Sequence, residues 1–244
     1  MSTMQPETKG RASRFVQLLA RLLLGALFIY LGISNARHGA DFLRYTREQL
    51  LITNPSAAGL FTAVAPWLEV LYGVWLLTGL AQNAAALIGR WWLGFMFVIM
   101  GLHKALPDPG AFLKLVDQYD MVSNTFLLNC IAAALPWFEV YCGLLLLAGV
   151  AVRGAALSIA GMLVPFTVIV VKRALVIAAT EHTPFCAVKF DCGCGAGEVY
   201  ICHKVVENTL LLLLSLWLLS GRGRQLCLRF ALLKDRQPAP AGPS

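Results

Sequence analysis

Apolar residues gather along this chain in long blocks, and polar residues are confined mostly to the short stretches between them. Six blocks stand out, at 15–33, 57–80, 84–102, 126–152, 155–171 and 205–219. A helix needs about 20 apolar residues to cross the hydrocarbon of a bilayer. The short alternating segments of a membrane β-barrel are absent. The pattern therefore predicts an all-α polytopic bundle of about six transmembrane spans. An N-terminal tail at 1–14, a membrane domain at 15–220 and a tail at 221–244, first basic and then rich in Pro and Ala, complete the division. The first block follows Lys9, Arg11 and Arg14, as a signal-peptide core would. No small-x-small cleavage site closes it and the run is long for such a core, so a retained helix is expected.

Composition narrows the class. The chain is 58% apolar and only 14% charged, where soluble domains carry about a quarter charged residues. That excludes an ordinary soluble domain, and the apolar content excludes disorder. The net charge of +7 reports orientation here rather than a nucleic-acid partner. With the N-terminus inside, eleven basic and two acidic residues fall in the inner segments, against nine basic and eight acidic in the outer ones. Both termini are expected to be cytoplasmic, which puts 34–56, 103–125 and 172–204 outside.

The chain also repeats itself at a spacing of about 70 residues. Pro66-Trp67-Leu68-Glu69-Val70 returns as Pro136-Trp137-Phe138-Glu139-Val140, and Gly73 and Gly79 return as Gly143 and Gly149. Upstream, Gly25, Phe28 and Gly32 match Gly94, Phe97 and Gly101, and Phe42-Leu43 matches Phe112-Leu113. The unit is helix, outer connection, helix, so the bundle is expected to consist of duplicated hairpins. The connections around Phe42 and Phe112 alternate apolar and charged residues, as surface helices do. The third pair of spans has the same layout without the Pro-Trp-x-Glu motif.

Glu69 and Glu139 lie inside apolar spans, where an ionised carboxylate costs roughly 3 kcal/mol. Each must face the bundle, a cavity or a cation, or remain protonated. Two readings stay open: a proton path or ligand-pocket edge, and a helix-pairing hydrogen bond fixed by duplication. Trp67 and Trp137 are expected to fill one packing niche in each repeat, and Arg21 to snorkel to the interface. His203 and Glu207 share a helix face if the last span starts early, either as proton carriers or as a solvated cap.

The strongest chemical signal lies at 182–203, where Cys186, Cys192, Cys194 and Cys202 fall close together and Gly193 and Gly195 flank Cys194. Four chemistries fit. Cys192 and Cys194 form a redox-active pair, with Gly193 supplying the backbone freedom for so small a ring. Alternatively, the four cysteines make two structural disulfides, as expected outside the cytoplasm. A zinc site with His182 or His203 is the third option, and an iron–sulfur cluster of unfamiliar spacing the fourth. The redox pair is the adopted reading, with no bound metal.

Gly101-x-x-Lys104, Phe112, Tyr119 and Pro136-Trp137-x-Glu139 with Gly143, followed by Cys192-Gly193-Cys194-Gly195 and Asn208 before a leucine-rich helix, resemble the DoxX/MauE group of bacterial membrane proteins. The resemblance covers most of the chain. It departs after Cys194, where Gly195-Ala196 replaces an expected Phe-Gly, and at Asn124, where proline is common. It implies a redox-associated inner-membrane protein. MauE-like members are linked to disulfide formation in a periplasmic dehydrogenase, and DoxX-like relatives to sulfur oxidation coupled to quinone.

The expected function is thiol–disulfide exchange at the periplasmic face, carried out or supported by this protein. Cys192 and Cys194 are the catalytic candidates, and Cys186 and Cys202 form a second pair or relay. Lys104, Tyr119, Glu139, Glu69, His203 and Glu207 are candidates for a polar site. No flavin, nicotinamide or haem motif is present, so no covalently bound cofactor is expected and the electron acceptor is a quinone or a periplasmic redox protein. Two rivals remain: a non-enzymatic subunit or chaperone of a larger redox complex, and a small-molecule transporter.

Overall fold

Every apolar block becomes a helix, and the connections predicted to be amphipathic become short helices. The computed structural model describes residues 7–50, 54–106, 109–117, 124–192, 198–220 and 226–227. In chain order the helices are α1 (Glu7–Arg37), α2 (Gly39–Leu50), α3 (Pro55–Thr78), α4 (Gln82–Ala105), α5 (Pro109–Asp117), α6 (Thr125–Ala148), α7 (Val152–Glu181) and α8 (Ile201–Leu219). A 3₁₀ turn at Phe185–Ala187 and two strands, β1 (Lys189–Asp191) and β2 (Glu198–Tyr200), lie between α7 and α8. Among the described residues six helices are long and apolar enough to cross a membrane: α1 from Gln17, α3, α4, α6, α7 and α8. The protein is a multi-pass membrane protein.

At the end of the bundle that carries the cysteines, three helices run past the bounds read off the sequence. The first helix continues past Ile33 to Arg37. The helix α7 continues past Val171 to Glu181, so Lys172 and Arg173 belong to a helix rather than to a loop. The last span begins at Ile201, four residues before the apolar block. In each case hydropathy ends before the backbone hydrogen bonds do, because a helix extends through polar residues until a cap stops it.

The caps repeat with the sequence. The side chain of Asn54 accepts from the backbone N–H of Ser56 and Ala57, and that of Asn124 from Phe126 and Leu127, satisfying donors that the first turn leaves open. At the other end, Gly79 (φ 73°) and Gly149 (φ 68°) close α3 and α6 in the left-handed conformation that glycine adopts without strain.

The helices pack as antiparallel pairs, α1 with α3, α4 with α6 and α7 with α8. The helix α8 also contacts α1 and α4, and its Leu210, Leu211 and Leu214 sit in the central core with Leu24, Phe28, Leu93, Leu146 and Ile159. Glycine sets the spacing inside each repeated pair. A methyl group built on Gly32 would lie 2.5 Å from the carbonyl oxygen of Pro66, and one on Gly101 would lie 2.5 Å from that of Pro136. Gly25 meets Gly73, and Gly94 meets Gly143, with equally little room. Lipid tails supply no hydrophobic drive between helices, so such close backbone contact is a main source of association. Pro66 and Pro136 lie within unbroken helices at these contacts. Arg21 reaches the end of the neighbouring span. Its guanidinium lies against Gly79, at the negative end of α3. Arg90, its equivalent one repeat later, is fully buried against Gly149 and donates to the Cys227 sulfur and the Leu226 carbonyl. Trp67 and Trp137 fill no packing niche. They are 60% and 54% exposed on the outer surface of a bundle whose surroundings are lipid.

Candidate functional site

Because the spans alternate in direction, the C-terminal ends of α1, α4 and α7 and the N-terminal ends of α3, α6 and α8 share one end of the bundle. The cysteine-rich connection is at this end. Cys186 and Cys202 are joined by a disulfide, which ties the 3₁₀ turn to the first turn of α8. Between them β1 and β2 pair antiparallel, with Phe190 opposite Val199. Cys192 follows β1 and is 1% exposed, in a small apolar core with Val170 and Ala174 of α7, Val188 and Ile201. Cys192, one of the two catalytic candidates, is therefore an interior residue. Cys194 and Tyr119 lie outside the described residues.

A cavity of about 650 Å³ lies beside this hairpin. Its walls come from the first repeat (α1, α2 and α3), from α4, and from β1, β2 and the start of α8. Aromatic side chains are prominent in the lining, among them Phe28, Phe42, Tyr72 and Trp92. Leu68 of α3 and Phe95 of α4 also line it and are 58% and 46% exposed. Val199 both lines the cavity and packs on the core that holds Cys192.

Of the polar residues singled out in the sequence, Glu69, His203 and Glu207 meet in this cavity. The two glutamates of the repeat have different surroundings. Lys104 donates to both carboxylate oxygens of Glu139, at 2.6 and 2.7 Å, in a buried ion pair. That pair is not part of the cavity lining. In the first repeat Asn35 takes the place of Lys104 and donates to one oxygen of Glu69 at 3.0 Å. Both glutamates thus take a hydrogen bond that pairs two helices, and Glu69 also stands in a cavity wall. Glu207 is not a solvated cap. It is 7% exposed and ion-paired to Lys204 at 3.0 Å. Ser34, Asn35 and His38 of α1 also line the cavity and went unnoticed in the sequence. Aligning the repeats column by column exposes Asn35, since it falls 69 residues before Lys104, the interval that separates Gly32 from Gly101. Among the described residues no three His, Cys, Asp or Glu side chains converge as a metal site.

The sequence model of one family, described as methylamine utilisation protein MauE, matches residues 13–89 and again 82–221. The two overlapping matches together take in all six spans. No individually curated protein matches the chain, and no solved structure does.

Proposed function

This chain belongs to the MauE family, and from that premise we propose that it carries out or supports thiol–disulfide exchange at the periplasmic face of the inner membrane, with both termini cytoplasmic. Cys192 and Cys194 are the exchanging pair. A thiolate of a periplasmic dithiol protein attacks one sulfur of the oxidised pair, forming a mixed disulfide and releasing the other sulfur as a thiolate. The partner's second thiolate then displaces the attacked sulfur. The partner leaves as a disulfide, and the pair retains two electrons and, once protonated, two protons. A two-electron acceptor would restore the disulfide; a bilayer quinone, leaving as the quinol, or a periplasmic redox protein would supply that chemistry, since the chain has no motif for a resident flavin, nicotinamide or haem.

The observation that supports this reading most directly is the placing of Cys192. It sits on a hairpin braced by the Cys186–Cys202 disulfide, one residue layer from a cavity that penetrates the bundle. Serine variants of Cys192 and Cys194, made singly, test it. One of them is expected to trap a reducible adduct with a periplasmic protein, visible in non-reducing mass spectrometry. The double variant serves as the control, and adduct-free single variants would sink the proposal.

The burial of Cys192 favours a second reading. At 1% exposure the sulfur meets a partner only if the hairpin opens. A protein whose hairpin never opens would act as a membrane subunit or chaperone of a larger redox assembly, with the hairpin as its docking element. Alkylation of Cys192 in the folded protein, in the presence and absence of the partner, separates the two readings.

A further inference from the structure

The second repeat holds an ammonium site filled by the chain's own lysine, and the first repeat carries the aligned carboxylate and ring without the lysine. In the second repeat the Lys104 ammonium lies between the two oxygens of Glu139 and sits 5.6 Å from the centre of the Phe112 ring. An ion pair with a carboxylate plus a cation–π contact is the chemistry that recognises an ammonium group. In the first repeat the carboxylate is Glu69, the ring is Phe42 and the lysine is replaced by Asn35. Glu69 and Phe42 both line the 650 Å³ cavity.

The geometry points to a binding site for a primary alkylammonium ion in this cavity, its nitrogen at Glu69 and Phe42 where Lys104 stands in the other repeat. The carboxamide of Asn35 is shorter than a lysine side chain and neutral, and it meets one oxygen of Glu69. Phe28, Tyr72 and Trp92 offer further ring surface to a cation and its alkyl part. The cationic residues of the lining are engaged at the hairpin: Arg44 donates to the Glu198 carbonyl, and Lys189 lies 5.4 Å from the Tyr200 ring centre. Leu68 and Phe95 give the lining an apolar flank, which suits an alkyl chain rather than a hydrated inorganic cation. This inference does not depend on thiol exchange.

The lysine side chain without its backbone is n-butylammonium, which is therefore the probe. Full-length protein in detergent is titrated with n-butylammonium, with n-butanol as the uncharged control and tetramethylammonium as a cation without N–H donors. Binding is followed by calorimetry and by thermal unfolding. Saturable binding of butylammonium is expected, with butanol and tetramethylammonium at least tenfold weaker. Asn35→Lys is expected to fill the site, weakening butylammonium at least tenfold and raising the ligand-free unfolding midpoint. Glu69→Gln keeps the bulk, removes the charge and is expected to weaken binding to the same extent. It decides alone if the lysine variant does not accumulate. No saturable binding in the wild type, equal binding of butanol, or binding that survives either substitution overturns the proposal.

Discussion

Lys104 and Glu139, 35 residues apart in sequence, form a two-pronged ion pair inside the bundle, with side chains only 7% and 10% exposed. The pair neutralises a carboxylate that hydrocarbon would not tolerate alone, and it joins α4 to α6 beside the Gly101–Pro136 contact. Breaking a buried pair leaves one uncompensated charge, whereas replacing both members removes the problem. Lys104→Met is therefore expected to lower stability by about 3–5 kcal/mol. Lys104→Met combined with Glu139→Leu is expected to recover most of that loss. Thermal unfolding in detergent of the single and double variants measures the difference, and a double variant as unstable as the single one would contradict the argument.

The same packing makes glycine size-critical at named positions. Gly101→Ala places a methyl group 2.5 Å from the Pro136 carbonyl oxygen, so α4 and α6 must separate. A cost of about 1–3 kcal/mol is expected, typical of overpacking. Gly161→Ala is the internal control, because nothing lies within 4 Å of its added methyl group. Membrane levels and unfolding midpoints of the two variants should differ in that order.

Reducing the Cys186–Cys202 bond should loosen one region rather than the whole bundle. The bond closes a sequence separation of 16, and loops of about that length are worth about 3 kcal/mol in the chain-entropy account. For Cys186→Ser with Cys202→Ser, hydrogen exchange is expected to speed up at 188–192 and 198–200, while α4 and α6 stay protected. Uniform loss of protection would show that the disulfide supports the entire fold.

Sidedness can be tested at exposed positions of the chain. Glu198 on β2 is exposed and Leu226 is 71% exposed, and the single span α8 separates them. Introduced singly, cysteines at these two positions should react oppositely with an impermeant thiol reagent in intact cells. Glu198→Cys is expected to react from outside, and Leu226→Cys only after permeabilisation. The reverse result would invert the proposed orientation, and equal reaction would remove a span.

The six membrane helices, their alternation and the duplication are legible in the order of residues alone, because hydropathy and internal repetition are local properties that need no knowledge of neighbours. That order also placed four cysteines at one end of the bundle. Backbone contacts at Gly32 and Gly101 give α1 against α3 and α4 against α6 the same register, far along the chain from either carboxylate. With Lys104 opposite Glu139 and Asn35 opposite Glu69, tertiary packing neutralises one glutamate and leaves the other on a cavity wall. Tertiary packing likewise decided that Cys186 pairs with Cys202 and that Cys192 is interior. Sequence spacing cannot choose among cysteine pairings, since the choice belongs to the strand pairing and to the unforeseen length of α7. The space between α3, α4 and the hairpin has the same origin. A cavity is what packing leaves unfilled, and no single segment of the chain encodes it.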